Sequence, residues 1–182
     1  MNTFYLLRHG KVDIDPRKPA NEWTLSSEGI NETRRLVKER TLTDVDFFYS
    51  SEEEKAYHTA KIIADAIGKE VVAISNFNEL DRKSFLENYE SAVKKAFSNI
   101  NESRNNWESC LSALKRFRTG MELIDQKHES KRILIVSHGI VLTLYFAHLK
   151  GDMSNLFFRW KRLRFLSYGV VENAEVVKDI VH

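Results

Sequence analysis

Cysteine is nearly missing from this sequence: Cys110 stands alone among 182 residues. A lone thiol excludes an intrachain disulfide and any metal site built from cysteine pairs. Two prolines and seven glycines are too few for a collagen-like, low-complexity or linker-rich chain. Neither sign of charge dominates, since 28 basic and 26 acidic residues leave a net charge of +2. That balance gives no electrostatic reason to expect nucleic acid as a partner. The one dense basic string, RWKRLR at Arg159 to Arg164, reads as a solvated edge or strand face. Long apolar runs are lacking too. The longest, Ile133 to Leu149, is interrupted by Ser137-His138-Gly139 and by His148. A bilayer span needs about 20 apolar residues, so no membrane partner is expected. The opening MNTFYLLRHG lacks the basic and small-residue flanks of a secretion signal, which points to a cytoplasmic protein.

What is present suits one folded domain with a substantial core: 42% of residues are hydrophobic and 30% charged. Thr3 to Leu7 reads as a strand covered on both faces. Ser27 to Arg40 spaces Ile30, Thr33, Leu36 and Val37 along one helix face. Asp46 to Tyr49 is a second strand. A helix follows, with Ser51 and Glu54 in capping-box spacing and Gly68 as its stop. Glu70 to Ile74 gives a third strand. Phe85, Tyr89, Val93 and Phe97, then Trp107, Leu111, Leu114, Met121 and Ile124, mark two helical packing stripes. Cys110 falls on the second stripe, where a thiol behaves as a small hydrophobe. Lys131 to Ser137 is a fourth strand and Ile140 to Leu149 a helix. Two closing strands, Phe165 to Glu172 and Glu175 to Val177, flank a turn at Asn173-Ala174. Strands alternating with helices argue for an α/β fold with a mostly parallel sheet.

Two strands end alike, in Arg8-His9-Gly10 and in Ser137-His138-Gly139. In open α/β sheets the crevice beyond the carboxyl ends of the strands is the usual ligand site. Parallel neighbours would bring His9 and His138 out on one edge. A glycine after each lets the backbone approach a ligand and offer N–H groups to an anion. Rival chemistries fail on spacing. There is no His-Glu-x-x-His or Cys/His cluster for zinc, and no Gly-x-Ser-x-Gly turn for a serine hydrolase. His58, His128, His148 and His182 have no partner pattern and read as surface or packing residues.

Four stretches in order carry a family resemblance. LLRHG holds the first histidine. WTLSSEGINE follows the pattern pLt-x-x-G-x-x-Q through Leu25, Ser26 and Gly29. YSSEEEKAYHTA follows SS-x-L-x-R-A-x-x-T-A, and ILIVSHG holds the second histidine. Together they resemble the histidine phosphatase superfamily, with its phosphoglycerate-mutase-like fold, from Phe4 to about Gly169. The resemblance implies a three-layer α/β/α architecture with a mostly parallel central sheet. It implies a single domain over residues 1–182, with a helical insertion about 84–128 over the site.

For the site it implies His9 as the nucleophile that becomes phosphohistidine. Neutral imidazole suits that role if its other nitrogen donates to a backbone carbonyl. Arg8, Lys55, His138 and Gly139 would hold the phosphoryl group, Arg8 through its fork geometry. Glu79 in Phe77-Asn78-Glu79 aligns with the family's general acid, and Asp81 is the second choice. No metal or other cofactor is implied, because arginine and histidine supply the positive charge. Three departures stand out. Lys55 occupies the place of a clamping arginine and loses its bidentate fork, so binding is expected to be weaker unless Arg17 or Arg82 reaches in instead. Val12 replaces a hydroxyl residue, and a G-x-W-E-G stretch is missing after the acid.

The expected function is a metal-independent phosphatase that hydrolyses a phosphate monoester through His9. Its substrate would be a phosphorylated small molecule or a phosphoprotein. The alternatives are a phosphate-binding member with little or no catalysis and, less favoured, a phosphoglycerate mutase, which must keep water from the phosphoryl group. Oligomeric state leaves no mark in the sequence.

Overall fold

The computed structural model describes residues 1–39, 42, 44–82, 87–104 and 106–181. Arg40, Ser84, Phe85 and His182, which carry expectations from the sequence, lie outside the described residues. The strands are β1 (Thr3–Arg8), β2 (Phe47–Ser50), β3 (Val71–Ala73), β4 (Arg132–Ser137), β5 (Tyr168–Glu172) and β6 (Glu175–Lys178). The helices are α1 (Ser27–Lys38), α2 (Glu54–Asp65), α3 (Tyr89–Ser98), α4 (Cys110–Lys127), α5 (Gly139–Leu149) and α6 (Leu156–Arg162). The strands form one sheet in the order β3-β2-β4-β1-β5-β6. The first four are mutually parallel, while β5 and β6 run antiparallel at one edge.

Alternation along the central strands explains the layers. Phe4, Leu6, Ile133 and Ile135 face one side, where residues of α3, α4 and α5 complete the core. Leu7, Leu134 and Val136 face the other, against Ala56, Ala60 and Ile63 of α2 and, from α1, Leu36 and Val37. Successive side chains point to opposite faces, so a strand covered twice must be apolar throughout. RILIV of β4 is that pattern. Helix α5 obeys the same logic: every residue from Gly139 to Ala147 is buried, as expected of a helix apolar all round. Among the described residues, no helix is long and apolar enough to cross a membrane.

Some local expectations change. The capping box proposed at Ser51 does not form; the residue preceding α2 is Glu53, with no side-chain cap. Ser51 is drawn into the site instead. Trp107 is buried but precedes α4, and Leu111 is only half-buried on it. The basic string is neither an edge nor a strand face: Arg159 to Arg162 lie on α6, where Arg159 pairs with Asp179 at 2.6 Å. Mixed aromatic and basic residues mask a helix this short, because seven residues give fewer than two full turns of pattern. The closing turn has Asn173 and Ala174 both left-handed, at φ 50 and 59, the geometry of a tight two-residue hairpin.

Two features aim the first histidine loop. Ser26 caps α1 by accepting from Gly29 N–H at 3.0 Å. A Cβ on Gly29 would lie 2.1 Å from the Lys11 carbonyl oxygen, so the loop after His9 rests directly on the α1 backbone. Gly29→Ala is therefore expected to lower unfolding stability by about 1–3 kcal/mol, the usual range for overpacking, measured by urea denaturation. A wild-type midpoint would refute that packing.

Candidate active site

Strands β1 and β4 pair in a register that sets Arg8 opposite Ser137. The next residue of each is histidine, and His9 N–H donates to Ser137 O at 3.0 Å. The two imidazoles meet with ring centroids 5.1 Å apart. His9 Nδ1 lies 2.7 Å from the carbonyl oxygen of Gly10, its own neighbour. A carbonyl only accepts, so Nδ1 carries the proton and Nε2 keeps its lone pair. Burial, then the proximity of His138, Arg8 and Lys55, pushes the His9 pKa well below 6.5. The ring is neutral at pH 7, the state a nitrogen nucleophile needs.

His138 is fully buried and its tautomer follows from its neighbours. Ser51 Oγ donates its one proton to Asn78 Oδ1 at 3.0 Å and accepts from Glu53 N–H. The 2.8 Å contact between Ser51 Oγ and His138 Nε2 must then be a donation from Nε2. Nδ1 is left as the basic nitrogen, buried and with no hydrogen-bond partner among the described residues. Burial, followed by Lys55 and Arg82, holds the His138 pKa well below 6.5.

Arg8 donates through Nη1 to Leu163 O at 2.5 Å, and its guanidinium lies 4.2 Å above the Phe165 ring. Its Nε is buried without a partner among the described residues. Burial lowers its pKa from the ordinary guanidinium range, opposed by Glu79 and Tyr89. Guanidinium remains charged in such surroundings. Gly139 opens α5 beside this group; a Cβ there would lie 3.3 Å from Arg8 Cζ and from Trp160 Nε1.

Lys55 is buried and already engaged. Its Nζ donates to Ala20 O at 2.7 Å and to Glu53 Oε2 at 2.5 Å. Desolvation lowers its pKa, and Glu53 pushes it back up. Of the two arginines considered as substitutes, Arg17 is turned away: it pairs with Asp15 at 2.9 Å and its side chain is 88% exposed. Arg82 does reach the site, stacked 4.6 Å from the Tyr89 ring.

Glu79 is buried at the start of α5. Oε2 accepts from Ile140 N–H at 3.0 Å, and Oε1 from Leu80 and Val141 N–H at 2.9 and 3.2 Å. Two of the helix's free amides thus hold a carboxylate. The preceding loop is fixed by Arg116 of α4, whose Nη1 donates to the carbonyls of Ser75, Asn76 and Asn78 within 3.0 Å. Asp81 borders a neighbouring cavity of about 400 Å³ and does not line the one that contains the histidines.

That cavity has a volume of about 350 Å³ and joins Arg8, His9, Lys55, Glu79, His138 and Gly139. Its outer walls are Val12, Ile14, Trp23, Tyr89, Trp160 and Phe165. Of the segment 84–128, Glu87 and Tyr89 reach it. Sequence reading missed Ser51, Glu53, Trp160 and Phe165. Ser51 and Glu53 flank the expected lysine closely enough to have been suspected. Trp160 and Phe165 carry no signal, since only the turn from α6 into β5 brings them back over Arg8. Among the described residues, no group of three or more His, Cys, Asp or Glu side chains is arranged to hold a metal ion.

Two imidazoles, an arginine and a lysine thus meet around one small polar floor. A family model for the histidine phosphatase superfamily (branch 1) matches residues 4–177, and the chain belongs to that superfamily. It is an enzyme of the phosphoric monoester hydrolase class, histidine phosphatase type. Phosphoglycerate mutase-like protein 4 of Arabidopsis thaliana is 32% identical over 159 residues, covering 77% of this chain and 68% of that protein. Phosphoserine phosphatase 1 of Hydrogenobacter thermophilus is 24% identical over 162 residues, 82% and 77% of the two chains. The phosphoserine phosphatase of Entamoeba histolytica, solved with 3-phosphoglyceric acid, superposes with a TM-score of 0.75 at 22% identity, over 98% and 95%.

The two depressed histidine pKa values have a thermodynamic consequence. Unfolded imidazoles take up protons near pH 6.5 while the buried pair does not. Stability is therefore expected to fall as pH drops below about 6.5, by up to roughly 1.4 kcal/mol per pH unit for each histidine. Urea denaturation between pH 7.5 and 5.5, with imidazole NMR titration, measures it. Ordinary titration of His9 and His138 near pH 6.5 would contradict the burial.

Proposed function

We propose that this protein is a metal-independent phosphomonoesterase acting through phosphohistidine on His9. The observation that carries this reading is the His9 Nδ1–Gly10 contact, which leaves Nε2 as a free lone pair in a cavity shared with Arg8, Lys55 and His138. In the first step Nε2 attacks phosphorus, the bond to the leaving oxygen breaks, and that oxygen takes a proton. In the second, water gives a proton back to the Glu79 carboxylate as its oxygen attacks phosphorus, the N–P bond breaks and phosphate leaves. The uncommitted N–H groups of Arg8 would bind the equatorial oxygens, where transition-state charge gathers. His138 would donate from Nδ1 once it accepts the proton of a monoanionic phosphoryl group. Glu79 is the proposed proton carrier for the leaving oxygen. Among the described residues its Oε2 accepts only Ile140 N–H, which leaves a lone pair for that proton.

Phosphoserine and 3-phosphoglyceric acid appear with the relatives, and small phosphorylated metabolites are the substrate class they suggest. The outer walls of this cavity favour a larger apolar or aromatic leaving group, with Glu87 and Tyr89 of the segment 84–128 helping to select it. A second reading, phosphate binding with little turnover, is favoured by one observation: Lys55 keeps an N–H for a ligand but its charge is partly balanced by Glu53, which leaves less positive charge for the transition state.

Phosphate release from p-nitrophenyl phosphate in excess EDTA separates these readings. The wild type is expected to turn over, and His9→Ala to lose at least about 1,000-fold in kcat, with an acid-labile phosphoenzyme trapped only in the wild type. Binding of phosphate without turnover from acid to neutral pH would instead establish the second reading. Between alkyl esters, 2-phenylethyl phosphate is expected to show a KM at least about tenfold below that of phosphoserine, from burial of the phenyl group. Equal KM values would refute the apolar wall as a selector.

A further inference from the structure

Glu53 is a buried carboxylate that the phosphatase chemistry does not call for. It is 9% exposed, and both oxygens are engaged. Oε2 accepts from Lys55 Nζ at 2.5 Å, while Oε1 accepts from Glu79 N–H at 2.7 Å and lies 3.6 Å from His138 Nε2. One side chain therefore touches the lysine at the cavity floor, the loop that carries the proposed acid and the second histidine. Burying a carboxylate is strongly unfavourable unless charge and hydrogen bonds compensate. Here the Lys55 ammonium and the Glu79 N–H supply that compensation. In the pattern that the segment follows, position 53 is leucine and position 55 arginine. This chain departs at both, and the two departures are in contact.

We propose that Glu53 and Lys55 work as one unit replacing a lone arginine clamp, with Glu53 the positioning residue that fixes Lys55 and the Glu79 loop around the phosphoryl position. The physical case rests on what each cation requires. An ammonium group buried in this way loses its proton readily, whereas guanidinium does not. Lysine in this position needs a counter-charge to remain a cation; arginine does not. With Ala20 O and Glu53 Oε2 taking two of its N–H groups, Lys55 has one left, among the described residues, for a phosphoryl oxygen. Glu53 thus holds the ammonium charged and points it, while neutralising part of the field that would draw in a dianion. Groups facing Lys55 are Glu53 on its own turn, Glu79 and Arg82 from the acid loop, and His9 and His138 from the strand ends.

The proposal builds on the phosphatase reading, and the test separates the two. Glu53→Gln, Glu53→Leu, Lys55→Arg and the double variant E53L/K55R would be compared for turnover of p-nitrophenyl phosphate against pH. The same proteins would be titrated with inorganic phosphate by calorimetry, with thermal melts as a folding control. Glutamine can still accept from Glu79 N–H but cannot balance the lysine charge. Glu53→Gln is therefore expected to raise KM and the phosphate Kd at least about tenfold, with a smaller change in kcat. The alkaline limb of its pH profile should move to lower pH, because losing the carboxylate lowers the Lys55 pKa further. Glu53→Leu should lose both KM and kcat, since the acid loop also loses its acceptor. The double variant should recover most of the lost phosphate affinity, because arginine stays charged beside leucine. Lys55→Arg alone should gain little, its fork being taken by Glu53. Unchanged KM, Kd and alkaline limb in Glu53→Gln would overturn the proposal. So would a double variant that folds yet binds phosphate no better than Glu53→Leu. If Glu53→Leu does not fold, Glu53→Gln alone decides. If the wild type has no turnover, the phosphatase reading fails, and the phosphate Kd values still decide the role of Glu53.

Discussion

Everything at this site depends on the parallel pairing of β1 with β4. Each strand is covered on both faces, so neither can slip by one residue without sending a row of apolar side chains to the wrong layer. The register that sets Arg8 opposite Ser137 is therefore held by the whole core rather than by contacts at the strand tips. Its by-product is that two histidines leave the sheet side by side, with ring centroids 5.1 Å apart. Packing far from the cavity thus determines the distance between the groups that matter within it.

Once together, the basic groups impose constraints on each other. Two imidazoles, a guanidinium and an ammonium in one buried space repel and are poorly solvated. The imidazoles respond by staying neutral. The ammonium is stabilised by Glu53, and the α5 amides and the Leu80 N–H stabilise Glu79. Arg116 ties down the loop between these two carboxylates by binding three of its carbonyls. The floor of the site is consequently a network of satisfied polar groups in which few atoms remain open. Among the described residues, His9 Nε2, His138 Nδ1 and the remaining N–H groups of Arg8 and Lys55 are those atoms, the ones to which the proposed function assigns the phosphoryl group.

The strands, most helix positions and the pairing of His9 with His138 were legible in the sequence because they rest on periodicity and local signals. Capping at Ser51 failed for a physical reason: the hydroxyl could serve a helix end or the ring of His138, and the tertiary contact won. The α6 segment failed because its short basic string has too few turns to reveal a face. Arg17 and Arg82 were indistinguishable as charges in a line, yet one pairs with Asp15 at the surface and the other stacks on Tyr89.

By itself, the sequence determined the sheet-forming runs, the two His-Gly strand ends and the phosphatase family to which they belong. Side-chain chemistry and spacing along the chain suffice for those, because each is a property of neighbours in sequence. Only the tertiary structure decided which nitrogen of each histidine is free, how Lys55 is held and what walls the cavity. Those depend on Gly10, Ser51, Glu53, Ala20, Trp160 and Phe165 arriving from separate elements. A hydrogen bond between residues far apart in the chain leaves no pattern along it, and the fold alone brings its two ends within 3 Å.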